Sequence, residues 1–379
     1  MSAVLPAARR PIAARLGGSG FLAVLSAVAA ALVGVLVFGG MLGGLSPFLV
    51  NVVGQLAAFA LLALSLDLIW GYAGILSLGH GLYFAVGGYI AAMHLLKSSY
   101  AATGILPDFL QFMGWSEFPS FWWGLESFPY ALIMLCLVSG VVAFVFGYVS
   151  FRSRVGGVYF AIITQALVYV AMLLMFRNDT GFGGNNGMTG FAVILGFPAG
   201  SRAVTVGLAA ASLAVLLAVL VGLRLLLAGR FGRLVLACRD DEVRLRTLGY
   251  RTLSIKLGVW CLSAVIAALA GMLYVPQVGI INPRLLSPEL SIEIAVWVAI
   301  GGRGYLTGAV VGAVCVNALK FWLTTRAPEL WPFILSGFVV IVVLLLPNGF
   351  ADIGERLRTV RSGALRLPRR LRPVRDSRP

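Results

Sequence analysis

Charge is scarce in this chain. Only 11% of its residues are Asp, Glu, Lys or Arg, where soluble domains carry roughly 25%, and 60% are hydrophobic. An ordinary soluble globule is excluded. Histidine is scarcer still: His80 and His94 are the only two, so a metal centre has little to build from. The four cysteines, at 136, 238, 261 and 315, show no CxxC spacing, and three lie inside apolar runs. Free thiols fit that distribution better than disulfides or a metal site. The sequence has no GxxxxGKS/T segment to cradle nucleotide phosphates, no HExxH, no GxSxG and no pair of catalytic carboxylates. An enzyme has little here to stand on.

What the chain has in abundance is apolar runs near the length that a hydrocarbon core of about 30 Å demands. Candidate spans are 21–42, 48–70, 75–96, 128–149, 157–177, 204–228, 256–275, 289–302, 307–326 and 331–347. The fold class is therefore an all-α polytopic membrane protein of about ten transmembrane helices. Short broken or re-entrant segments are expected where "GYAGILSLGHG" interrupts the third run and where the eighth is too short to cross alone. The 46 glycines suit close helix packing in lipid. The run 21–42 is long enough to be a retained first helix rather than a cleaved signal.

The net charge of +15 does not indicate nucleic acid, because the basic residues sit beside apolar runs, where they set orientation. With Arg9, Arg10 and Arg15 in the cytoplasm, ten crossings place 23 of the 29 Lys and Arg on that side and six on the other. Both termini are then cytoplasmic. The layout is a basic segment 1–20, a membrane domain 21–347 with a polar loop at 229–256, and a cytoplasmic tail 348–379 whose nine arginines suit contact with membrane lipid.

The loop centre, Arg239-Asp240-Asp241-Glu242, precedes Arg244 and Arg246. Acids first and bases last suit a short helix, and Gly249 suits its stop. A solvated helix and a docking helix for a cytoplasmic partner both fit. At the opposite face, "YVPQVGIINP" (274–283) should end a span, with Pro276 and Pro283 stopping the helix. Irregular backbone survives in a membrane only when buried or facing a water-filled cavity. Gln277 and Asn282 thus line an outer vestibule or belong to an ordinary outer loop. Asn185 and Asn186 of "GGNNG" fall on the same face. Inside the spans, Asp67 lies close enough to the cytoplasmic end to reach water. His80 either bonds a freed carbonyl or touches cargo. Glu293 and Lys320 could pair with each other, and Trp297 fits packing better than a substrate platform.

The segments "GYAGILSLGHGLYFAVGGYIAA" (71–92), "GVYFAIITQAL" (157–167), "GFGGNNGMTGF" (181–191), "CRDDEVRLRTLGY" (238–250) and "YVPQVGIINPRLLSPELSIEIAVWVAIGGRGYLTGAVVGAVCVNALK" (274–320) resemble the permease subunits of ABC importers of the branched-chain amino acid type. Within that family, the Asn-Asn and Asp-Asp pairs are most similar to the second permease of the urea importers. The likeness covers most of 48–350 and leaves out roughly the first 45 residues and the Arg-rich tail. It implies an inner-membrane, multi-pass subunit working with a homologous permease, two cytoplasmic ATPases and a periplasmic urea-binding protein. ATP and Mg would be bound by the ATPases, with no cofactor in this chain. It also implies that Arg239, Asp240, Asp241, Glu242, Arg244, Arg246, Leu248 and Gly249 form the helix that couples to an ATPase. The substrate path would draw on His80, Asn185, Asn186, Gln277, Asn282, Glu293 and Trp297. Rival readings are a permease for branched-chain amino acids or short amides, and a stand-alone urea channel.

Overall fold

A computed structural model describes residues 44–330 continuously, together with Gly34, 37–41, 333–334 and 336–337. The spans expected at 21–42 and 331–347 lie mostly outside the described residues, as do the segment 1–20 and the tail 348–379. The long helices are α1 (Pro47–Asp67), α2 (His80–Thr103), α4 (Phe128–Arg152), α5 (Gly157–Met175), α6 (Arg202–Ala228), α9 (Thr252–Val278), α10 (Pro288–Gly301) and α11 (Leu306–Arg326). Short helices α3 (Asp108–Phe112), α7 (Arg230–Asp240) and α8 (Glu242–Thr247) lie in the connections, with a two-residue hairpin of β1 (Val193–Ile194) and β2 (Phe197–Pro198). Serines cap several of the starts. Ser46, Ser201 and Ser287 each accept a bond from the backbone N–H three residues on, and Pro47 and Pro288 follow two of them.

Among the described residues, six helices are long and apolar enough to cross a membrane: α1 with its extension to Tyr72, α4, α5, α6, α9 and α11. Two of the expected spans depart from that pattern. The third begins at His80 rather than 75, because Ala73–Gly79 is non-helical and Gly74 takes a φ of 75°. The eighth, α10, has 14 residues, about 21 Å at 1.5 Å per residue, and falls short of a full crossing. Helix α9 is the centre of the bundle and packs on α1, α2 and α4, while α1 also meets α6, α10 and α11. The α2–α9 crossing is close enough that a Cβ on Gly87 would strike the Ala268 carbonyl, and one on Gly271 the Phe84 carbonyl. Trp260 Nε1 of α9 donates to Ala143 O of α4 at 2.9 Å. By contrast α4 and α5 turn Ile133, Leu137, Phe144, Ile162 and Val170 outward, as lipid-facing helices do.

The aromatic segment "FPSFWWGLESFP" (118–129) divides in two. Trp123 is exposed, whereas Trp122 is fully buried against Phe109 and Phe118.

Candidate functional site

The polar residues singled out in the sequence gather at two ends of the bundle. At one end lies the loop of α7 and α8. Arg239 to Leu248 do not form one helix: the chain breaks at Asp241, whose φ of −155° and ψ of 94° are extended. The reason is local. The Asp241 carboxylate accepts the Arg244 N–H at 2.9 Å, so an acid placed to charge a helix start instead caps a new one. Arg239 and Asp240 end α7, Glu242, Arg244 and Arg246 lie in α8, and Gly249 (φ 87°) follows it as expected.

This loop is fastened to the bundle on both sides. Arg239 donates to the Gly71 carbonyl at 2.8 Å. Glu242 accepts from Arg246 and Lys256 at 2.5 Å and from the Thr252 hydroxyl at 3.0 Å, joining α8 to the start of α9. Burial pushes the Glu242 carboxyl up, but Lys256, Thr252 and Arg246 together outweigh it and hold the group below its ordinary 4.5. Exposed on this loop are Val243 (71%), Leu248 (68%), Tyr250 and Arg244 together with Asp240 and Asp241, a mixed apolar and charged face.

Gly71 belongs to a π-wound segment, Leu68–Tyr72, that continues α1. Three connections meet there. Arg239 reaches Gly71 O, the Arg303 guanidinium lies 5.0 Å from the Trp70 ring, and Asp67 Oδ1 accepts the Gly304 N–H at 2.8 Å. Asp67 was expected to reach water; it is fully buried, because the turn at Gly301–Gly304 folds over it. A π-bulge at such a junction is common at functional positions.

At the far end, the loop 183–188 joins the segment after α9. Met188 and Ile281 exchange backbone bonds of 2.8 and 3.0 Å. Gly187 permits this approach, with a φ of 73° and no room for a Cβ beside Ile281 O. The joint sets Gly187, which follows exposed Asn185 and Asn186 in the chain, against the half-buried Asn282, whose Oδ1 accepts the Arg284 N–H at 3.1 Å.

Gln277 does not join them. Pro276 was expected to stop the helix, yet α9 continues through it to Val278 and ends at Gly279 (φ 78°). A proline in a last turn removes one donor and leaves the winding intact. Gln277 is thereby carried into the packing, where Nε2 donates to Ser212 Oγ at 2.8 Å and to Leu273 O at 2.7 Å, while Asn51 donates to its backbone carbonyl at 2.9 Å. A vestibule role for Gln277 is therefore withdrawn. Asn51 and Ser212 were missed by sequence reading; a lone amide and a lone hydroxyl in apolar runs were the available signal.

Within the bundle, Lys320 donates to both Glu293 oxygens at 2.8 Å, the pairing expected. Trp297 is buried with its ring centroid 5.2 Å from that of Phe59, in packing. His80 meets the Ser263 hydroxyl at 2.7 Å, and that hydroxyl donates its single hydrogen to Ser65 O. The histidine Nε2 must then be the donor, and it bonds a hydroxyl rather than a freed carbonyl directly. A cavity of about 260 Å³ between α2 and α4, lined by Tyr89, Met93, Met134, Met175 and Phe182 among others, is too apolar to hold polar cargo.

The described residues hold no cluster of three or more His, Cys, Asp or Glu side chains able to bind a metal. No solved structure matches the chain. It is 25% identical over 329 residues to the high-affinity branched-chain amino acid transport system permease protein LivM of Salmonella typhimurium, covering 80% of this chain and 70% of LivM. The corresponding BraD protein of Pseudomonas aeruginosa is 23% identical over 304 residues, 77% of this chain and 91% of BraD. The autoinducer 2 import system permease protein LsrC of Photorhabdus laumondii is 33% identical over 121 residues, 30% of this chain and 36% of LsrC. A family model for the permease component of branched-chain amino acid transport systems matches residues 48–345, which take in every helix from α1 to α11 and both polar ends, and the chain belongs to that family.

Proposed function

We propose that this permease passes urea, delivered by a periplasmic binding protein, across the bacterial inner membrane. In this reading it pairs with a homologous permease, and two cytoplasmic ATPases that bind ATP and Mg drive it. The observation that carries the cargo reading is the Met188–Ile281 joint, which through Gly187 sets the turn of Asn185 and Asn186 against the segment that carries Asn282. Amide side chains offer donors and acceptors together, the complement of urea's carbonyl and two amino groups. Glu293 and Lys320 neutralise each other, so that pair offers no net charge to a zwitterion. The exposed face of Val243, Arg244, Leu248 and Tyr250 supports the loop as the seat of an ATPase, held firmly enough to transmit a push to α1 and α9.

The relatives favour a second reading, in which the cargo is a branched-chain amino acid. Growth on urea as sole nitrogen source at low concentration, with and without the gene, separates the two. Loss of growth on deletion supports urea; unchanged growth together with lost leucine uptake supports the amino acid.

A further inference from the structure

Helices α2 and α10 both begin inside the bundle rather than at its ends. His80, the first residue of α2, bonds Ser263, which lies eleven residues, about 16 Å, along α9. Ser291, in the first turn of α10, precedes Gly301 by ten residues, about 15 Å of helix. The two starts touch: a Cβ on Gly81 would stand 3.0 Å from Ser291 Oγ and 3.7 Å from Leu285 O. Helix starts buried in a transporter present N–H groups and positive dipole ends to whatever passes.

The start of α2 is also unusually open in its bonding. Gly79 supplies no side-chain cap. The N–H of Leu78 goes to Thr164 Oγ1 and that of Gly79 to Ser77 Oγ, which leaves the N–H groups of His80 and Gly81 to be satisfied. Around them, Ser291 Oγ, only 1% exposed as a residue, has no partner among the described residues. Neither does His80 Nδ1. Buried polar groups are nearly always paired, so two orphans at one helix start call for an occupant. The segment from Asn282 through Leu285 to Ser291 leads here directly from the amide group at the far end, and α5 packs along it.

We propose that this junction is a hydrogen-bonding site for a small neutral amide in transit. The cargo's carbonyl oxygen accepts from the α2 N–H groups, and its amino groups donate to Ser291 Oγ and His80 Nδ1. The site rests on the cargo reading above and adds to it a place inside the bundle where cargo pauses between the two ends.

The test uses the complete importer reconstituted in proteoliposomes, with labelled urea and N-methylurea as probes. Wild type is compared with Ser291→Ala and the conservative Ser291→Thr. Loss of one hydrogen bond should lower the maximal urea rate per assembled complex about three- to tenfold in Ser291→Ala. The half-saturating concentration, set by the binding protein, should stay fixed. The methylurea-to-urea ratio should rise in Ser291→Ala, and Ser291→Thr should keep most of the rate. Wild-type rate and ratio in Ser291→Ala would overturn the site. So would a loss that follows ATP hydrolysis and protein amount with the ratio unchanged, since that marks a structural role alone. A wild-type complex that moves leucine and not urea would remove the cargo reading itself, before any variant is compared.

Discussion

Replacing Glu242 by Gln removes the charge that Arg246 and Lys256 share and leaves an oxygen for Thr252. The carboxylate is about one-third exposed, with 29% of its side-chain surface open, so water screens part of the interaction. Exposed ion pairs are worth about 0.2–1 kcal/mol each, which puts the pair of them at roughly 0.5–2 kcal/mol. Local opening of α8 and the start of α9 should then become about 2- to 30-fold more frequent. Hydrogen exchange read by mass spectrometry over 242–256 measures this directly, with α1 and α2 as internal controls. The pH dependence carries the sign. Glu242 sits below its ordinary 4.5 in the folded protein, so its contribution is present above that pH and is lost as the pH falls through the lowered value. Wild-type protection in this segment should weaken below pH 4.5, after correction for intrinsic exchange, and Glu242→Gln should lack that step. Unchanged exchange in the variant at neutral pH would refute the claim that this carboxylate ties the loop to the bundle.

Lys320→Leu takes the cation from Glu293, which is 12% exposed against 35% for the lysine, and should cost roughly 1–3 kcal/mol in thermal unfolding of the purified protein. Adding Glu293→Leu should recover most of that loss. Gln277→Leu should destabilise by about 1 kcal/mol through its bond to Ser212 and leave urea uptake per folded molecule unchanged, whereas Asn282→Leu should lower that uptake. A cysteine placed after Arg375 should resist impermeant thiol reagents in intact cells, and efficient labelling would contradict a cytoplasmic tail.

Long apolar runs made most of the helices legible in the sequence, and Gly249 is the stop expected of it. Two errors share a cause, which is that a residue's local preference was taken as its fate. Pro276 was given its usual power to break a helix, but one missing donor in a last turn is too little to unwind α9. Asp241 was counted as a charge near a helix start, and its shorter-range ability to cap was overlooked. Asp67 and Gln277 went astray for a different reason. Their partners, Gly304 and Ser212, lie 237 and 65 residues away, and no local pattern announces such a meeting. The same holds for Ser291 and Gly81, brought together only by two helices that begin inside the bundle. The Glu293–Lys320 pair was found because opposite charges on neighbouring apolar runs have few alternatives.

Cargo is decided most directly by paired uptake measurements on the complete importer in proteoliposomes, with binding protein outside and ATP inside. Labelled urea and labelled leucine are offered separately, each with and without ATP. Urea that accumulates only with ATP, and leucine that does not accumulate, is the predicted result. Accumulation of leucine without urea, or entry of urea at the same rate when ATP is withheld, would contradict it.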